Sequence, residues 1–298
     1  MDVQIDQQTS SNQHHRSSIA GWRDLKKVLR LMLVAALLLL TAATAPAFAA
    51  DGKIDLLWLG QSAFKLTTVD GHVIVLDPYL ILNPKTPAKY KQLDALGKVD
   101  LILVTHGHFD HFADAPALAK MNNAPVWGPA GLDQLMQTLE ILPPELAPRM
   151  NKGGTITPFP NVHITEVHAE HSSELLWPDP VTKKPTTYPA GEPVGFIIQL
   201  ENGFTIYDMG DTALFGDMRL IAERYKPDLL LVPIGGHYVL NPVDAAFATR
   251  EFIKPRFVIP MHYGTTPQLA GTPEEFIKAL GDSSTKVINL QPGQDATF

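Results

Sequence analysis

Apolar residues in this chain fall into short unbroken runs more often than into helical periods. Residues 101–104 read Leu-Ile-Leu-Val between Asp100 and Thr105, and residues 229–232 read Leu-Leu-Leu-Val after Asp228. Apolar runs this short, bounded by polar residues, are the pattern of strands covered on both faces. Two longer segments, 64–77 and 196–208, are apolar on either side of Asp70-Gly71 and Asn202-Gly203. Both dipeptides tolerate the left-handed backbone of a tight turn, so each segment is predicted to be a β-hairpin.

Beyond each hairpin the same elements recur in the same order. Lys98-Val99-Asp100 leads into the first apolar run and Lys226-Pro227-Asp228 into the second. A helical stretch comes next (113–121 or 242–253), then another short strand (124–127 or 257–259). Two sheet-plus-helix halves bury both sheets by packing face to face, with the helices outside. The expected fold is therefore α/β, a four-layer αββα sandwich built from two similar halves. Further strands are expected at 162–167 and 204–207, and a helix plus connector at 132–148. The proline-rich stretch 174–193, with Trp177 and Tyr188, is expected to be a long loop covering a substrate.

The N-terminus breaks this pattern. Arg23, Lys26, Lys27 and Arg30 precede the apolar stretch 31–40, and Ala47-Phe48-Ala49 comes after it. A basic region, a short apolar core and small residues at a cleavage position make a secretory signal peptide. The apolar core is shorter than the ~20 residues a membrane span requires. Residues 1–49 are thus expected to be the signal segment and 50–298 a single domain, giving a periplasmic or secreted protein. Retention of the segment as a membrane anchor is the alternative.

Composition excludes some partners. The leader carries five basic and three acidic residues, so the remaining chain is more acidic than the whole chain's net −7. Nucleic acid binding needs basic surface to neutralise phosphates, and a small-molecule substrate is expected instead. The chain has no cysteine, hence neither a disulfide framework nor a thiolate metal ligand.

The densest chemistry lies at the end of the first apolar run, in Thr105-His106-Gly107-His108-Phe109-Asp110-His111. Imidazole and carboxylate suit zinc, iron or manganese. In extended chain the side chains of His106 and His108 share a side, so they can grip one ion together. Asp110 and His111 diverge where a helix begins, and suit a second ion. Three more candidates, His171, Asp211 and His262, each stand just past a strand, where open α/β sheets gather functional groups.

In order and spacing these residues resemble the metallo-β-lactamase superfamily, over most of the chain after residue 50. Trp58-Leu59-Gly60, Leu76-Asp77-Pro78, Gly210-Asp211-Thr212, Pro233-Ile234-Gly235-Gly236-His237 and Pro260-Met261-His262-Tyr263 are similar to its metal-dependent hydrolase branch, related to ascorbate-6-phosphate lactonase and N-acylphosphatidylethanolamine phospholipase D. The resemblance implies the same αββα fold. It also implies that His106, His108 and His171 bind one metal, that Asp110, His111 and His262 bind another, and that Asp211 bridges them. His171 is preferred to His168 because the Ser-Ser after it matches that branch.

The activity implied is hydrolysis of an ester, lactone, amide or phosphodiester bond. Two divalent ions, zinc by default with manganese or iron as alternatives, would lower the pKa of bound water and polarise the substrate. Asp110 is the candidate for orienting the nucleophile, and His237 for hydrogen bonding to the oxyanion or shuttling a proton. Asp77 is expected to orient a ligating imidazole, and Tyr263 to line the pocket or the core. Gln61 departs from the pattern, since many relatives carry histidine there. A non-catalytic metal-binding or sensing protein, or a di-iron redox protein, is the alternative function on this fold.

Overall fold

The computed structural model describes residues 52–298. The proposed signal segment lies outside them. Both predicted hairpins form: β2 (Ala63–Thr67) with β3 (Val73–Leu76), and, with β numbers in chain order, β10 (Val194–Gln199) with β11 (Thr205–Asp208). Their turns place Gly71 at φ +85° and Gly203 at φ +83°, conformations that a side chain would strain. From each hairpin the chain crosses over to two parallel strands. These are β4 (Leu101–Leu103) and β5 (Val126–Trp127) in the first half, and β12 (Leu229–Pro233) and β13 (Phe257–Met261) in the second.

An outer antiparallel strand completes each repeat, β1 (Asp55–Gly60) beside β2 and β7 (Val162–His168) beside β10. The first sheet has the order β15-β1-β2-β3-β4-β5, and the second β14-β13-β12-β11-β10-β7-β6. Here β6 is Thr155–Phe159, β14 is Lys286–Val287 and β15 is Asp295–Thr297. The C-terminal strand β15 thus leaves the second half and pairs with β1 of the first.

The alternation of side chains explains the four layers. Leu101 and Leu103 of β4 and Leu229 and Leu231 of β12 meet in one core between the sheets, with Phe64, Leu66, Phe196 and Ile259. Ile102 and Val104 face outward, under α1 (Phe109–Phe112), α2 (Ala115–Asn122) and α3 (Ala130–Thr138). Leu230 and Val232 face the other way, under α4 (Met218–Tyr225), α5 (Pro242–Phe247) and α6 (Pro273–Leu280). Strands buried on both faces need apolar residues at every position, which is why they are unbroken runs in the sequence. The helical stretch predicted at 242–253 is α5 continued by a π-helical segment, Ala248–Ile253.

The stretch 174–193 is a hairpin and not a loop. β8 (Glu174–Pro178) and β9 (Pro185–Pro189) form their own two-stranded sheet. Pro178, Pro185 and Pro189 stand at the strand ends, where a missing N–H is tolerated. Leu175 and Ala190 are buried in the core under α1–α3, and Trp177 packs edge-on to Phe112 at 6.0 Å. Among the described residues no helix is long and apolar enough to cross a membrane.

Candidate metal centre

β1, β3 and β4 run in the same direction within the first sheet, as do β7, β11 and β13 within the second. Their C-terminal ends supply Gln61, Asp77, His106, His171, Asp211 and His262. Gln61, Asp77 and His262 hold left-handed φ values of +54°, +40° and +54°. Each such residue costs about 1–2 kcal/mol relative to ordinary backbone, so three together are held by the surrounding contacts. His262 N–H donates to the Gln61 carbonyl at 3.1 Å, and the indole of Trp58 donates to the same oxygen at 3.0 Å.

Asp77 organises the first-sheet side. Its carboxylate accepts from Thr105 N–H and from Thr105 Oγ1, both at 2.7 Å, and lies 2.7 Å from His111 Nδ1. Because a carboxylate accepts, the His111 proton facing Asp77 is on Nδ1, and in the neutral ring the lone pair is then on Nε2. Thr105 Oγ1, whose proton goes to Asp77, accepts from His106 Nδ1 at 3.0 Å. His108 Nε2 faces Glu174 Oε2 at 2.9 Å, which leaves Nδ1 unprotonated. Three imidazoles therefore turn lone pairs inward. His106 Nε2 and His108 Nδ1 are 2.8 Å apart, a spacing that is repulsive between two lone pairs and favourable around a shared cation.

Asp211, from the second sheet, reaches all sides of the cluster. One oxygen lies 3.1 Å from His262 Nε2, 3.6 Å from His171 Nε2 and 3.9 Å from His106 Nε2. The other lies 3.3 Å from His111 Nε2. That His111 nitrogen and that Asp211 oxygen are both buried without a hydrogen-bond partner. Asp110 completes the arrangement, 3.3 Å from His262 Nε2 and 3.8 Å from His111 Nε2. Three sets bring donor atoms within 4.8 Å of one another: His106, His108 and His171; His106, His111 and Asp211; Asp110, His111 and His262. A borderline cation is what such a nitrogen–oxygen donor set fits.

The same carboxylates set the charge of the cluster, drawing protons onto His111 and His262 where a bound cation would compete for the nitrogens. Burial opposes charge on His111, yet the carboxylates of Asp211, Asp77 and Asp110 outweigh it and hold its pKa well above the imidazole range. Burial likewise opposes charge on His262, and Asp211 and Asp110 raise it to about 9. Asp211 and Asp110 are held below the carboxylate range despite burial, through His111 and His262. Burial lowers His106 well below the usual value and His171 less so. The protein thus concentrates negative charge on the two carboxylates and neutral nitrogens on the His106 side.

A cavity of about 470 Å³ opens onto this cluster. His108, Asp110, His171, Asp211 and His262 form its inner end, and Gln61, Tyr79, Phe109, Tyr238, Thr265 and Leu269 stand among its walls. The Gln61 amide donates at 2.8 Å to Asp110 and lies 2.8 Å from His262 Nε2, while its carbonyl accepts from Thr265 Oγ1. Gln61 thus occupies the centre of the site with a group that does not titrate.

From the 235–238 loop it is Tyr238 that reaches the wall. His237 is exposed at φ +59°, its ring 4.4 Å from that of Tyr238. Tyr263 packs on Trp58 at 5.5 Å and lines smaller neighbouring clefts; burial pushes its pKa up to about 12. His168 lies apart, against Glu170 at 3.2 Å and Lys152 at 3.4 Å. The hairpin β8–β9 touches the site from behind through Glu174 and contributes nothing to the cavity wall among the described residues. Gln61 stood out in the sequence only as a departure from the family pattern, and Thr105, Glu174 and Tyr238 only by their position beside the ligand motifs.

Comparison with known proteins agrees with this architecture. Residues 72–263 match the family model of the Beta-lactamase superfamily domain, a span that takes in all seven candidate ligands. A UPF0173 metal-dependent hydrolase of Polaromonas sp. (strain JS666) is 59% identical over 92% of this chain and 100% of its own length. Another, from Cupriavidus metallidurans, is 56% identical over 84% of this chain and 87% of its own length. Among solved structures, Igni18, a metallo hydrolase from the archaeon Ignicoccus hospitalis, superposes with a TM-score of 0.69. It is 30% identical, over 83% of this chain and 98% of that one.

Proposed function

The chain belongs to the β-lactamase superfamily, among its UPF0173 metal-dependent hydrolases, and on that premise we propose that it is an exported hydrolase with a dinuclear centre that cleaves an ester, lactone, amide or phosphodiester bond. The observation that carries the reading is Asp211: one oxygen faces His171, His106 and His262, and the other meets His111 Nε2, neither of those two buried atoms having a hydrogen-bond partner. His106, His108 and His171 would hold one ion, Asp110, His111 and His262 the other, with Asp211 between them. Zinc suits this donor set, and manganese and iron are the other candidates. When bound, such ions lower the pKa of water and stabilise negative charge developing on the substrate.

The chain's own groups do the positioning. Asp77 and Thr105 set the tautomers of His111 and His106, and Glu174 sets that of His108. Asp110, anchored by Gln61, would hold the attacking water in line and accept its proton. The Gln61 amide would keep Asp110 and His262 in register. His237 would exchange protons with solvent at the mouth of the cavity, beside Tyr238. Export is supported by the basic and apolar leader before Ala47-Phe48-Ala49.

Elemental analysis after metal restoration, joined to turnover of an ester and phosphodiester panel, tests this function. Two metals per chain and activity lost in His106→Ala are expected; fewer than one metal per chain rules out the dinuclear centre.

A further inference from the structure

The cavity has two unlike ends. Its inner end carries the ligand groups, and its outer wall is formed by Tyr79, Phe109, Tyr238 and Leu269. None of its described wall residues is lysine or arginine. A neighbouring cleft of about 390 Å³, which shares Thr266 and Leu269, adds Glu274 and again no basic side chain. Lys85 faces a third cleft of about 80 Å³ on the other side of Gln61. A phosphate or carboxylate remote from the metal pole would meet no cation here, and recognition of such groups relies on one. The polar groups between the two ends, the Gln61 amide and the Thr265 and Ser172 hydroxyls, are all neutral.

The apolar end extends to the surface. Phe109 is 64% exposed and Tyr238 55%, and beyond them Leu82 is 73% and Ile81 44% exposed. The backbone that carries Ile81 and Leu82 and the Tyr79–Phe109 ring pair are braced. The N–H groups of Leu80 and Ile81 donate to Asp114 at 2.6 and 3.0 Å, the Tyr79 hydroxyl donates to the Leu82 carbonyl at 3.2 Å, and Phe109 stands edge-on to Tyr79 at 5.6 Å. Apolar side chains exposed on a braced backbone at the mouth of a cavity mark a binding surface.

We infer that the substrate is an uncharged carboxylic ester or lactone bearing an apolar group, with its carbonyl at the metal pole and the apolar group along Phe109, Tyr79, Tyr238 and Leu269. The assignment rests on the hydrolase reading above. In the reaction the oxygen of water bonds to the acyl carbon and the acyl C–O bond breaks. One proton of the water goes to the leaving alcohol and the other is released from the carboxylic acid product.

The test uses the full chain restored with zinc and a series of p-nitrophenyl acetate, butyrate and octanoate, with bis(p-nitrophenyl) phosphate alongside. Burial of each methylene is worth up to about four-fold in kcat/KM, and octanoate is expected to exceed acetate by at least about ten-fold on that scale. In Phe109→Ala and Tyr238→Ala, both at exposed positions, the octanoate-to-acetate ratio is expected to fall by a similar factor. Calorimetric binding of octanohydroxamate and acetohydroxamate provides a readout independent of turnover. Preference for the octanoyl compound without hydrolysis of any ester would sustain the apolar site and reject the hydrolase reading. A flat ester series with equal hydroxamate affinities, or faster turnover of the phosphodiester than of every ester, would overturn the substrate class.

Discussion

Asp77 takes three contacts from the residues around the metal site and itself faces no part of the cavity wall. Its carboxylate cannot be replaced by an amide without turning a donor toward either Thr105 or His111. Asp77→Asn is therefore expected to lower metal affinity about 10–100-fold, measured by competition with a chelator, the range found when such supporting partners are lost. A second carboxylate acts on stability. Glu166 is buried, neither oxygen has a hydrogen-bond partner, and burial raises its pKa from 4.5 to about 8 against the pull of Lys152. The folded chain keeps this proton where the unfolded chain has released it, so stability falls as pH rises from the unfolded value to about 8. Glu166→Gln should melt higher than the parent above about pH 8 and converge with it near about pH 4.5; a constant difference across that range would show that the proton is not the cause.

At the scale of elements, the hairpin β8–β9 explains the spacing of the first two candidate ligands. A Cβ on Gly107 would come within 2.6 Å of the Ala190 Cβ and 3.2 Å of the Glu174 carbonyl carbon. The glycine between His106 and His108 is thus required by the segment packed behind it, which also supplies the Glu174 contact to His108. Gly107→Ala should move one histidine relative to the other and lower metal affinity at least about ten-fold, by analogy with loss of other supporting groups. Retention of parental affinity would show that the hairpin yields instead. Of the strands whose C-terminal ends supply the site, β3, β4, β11 and β13 were legible from their apolar runs and β7 from its alternation, while β1 was not predicted. β8 and β9 were not legible either, because a half-exposed hairpin bounded by prolines has too few buried positions to stand out from a loop.

At the scale of the molecule, the candidate ligands come from both sheets, with His106, His108, Asp110 and His111 after β4 and His171, Asp211 and His262 from the second half. The C-terminal β15 returns to pair with the start of β1, and the Thr105 carbonyl accepts from Val194 N–H at 3.0 Å beside His106, so the two halves are tied together at two places. A metal bound only by the folded chain stabilises it in proportion to its occupancy. Metal present at 100 times its Kd adds about 2.7 kcal/mol, and for a domain of this size chelation is then expected to lower Tm by roughly 5–10 °C. Asp211→Asn, which removes charge shared by both ligand groups, should abolish most of that difference; an unchanged response to chelator would mean that the ions bind elsewhere.

The repeat of hairpin, parallel strand, helix and strand, the four-layer class and the clustering of imidazole and carboxylate at strand ends all arise from local pattern, since burial on two faces and ligand chemistry are written in residue type. The tautomers set by Asp77, Thr105 and Glu174, the central place of Gln61, the substitution of Tyr238 for His237 on the cavity wall and the apolar mouth depend on contacts between residues distant along the chain. Left-handed backbone at Gln61, Asp77 and His262 belongs to the same class, because aspartate and histidine only tolerate it more readily than most residues and the packing around each strand end is what holds it in place.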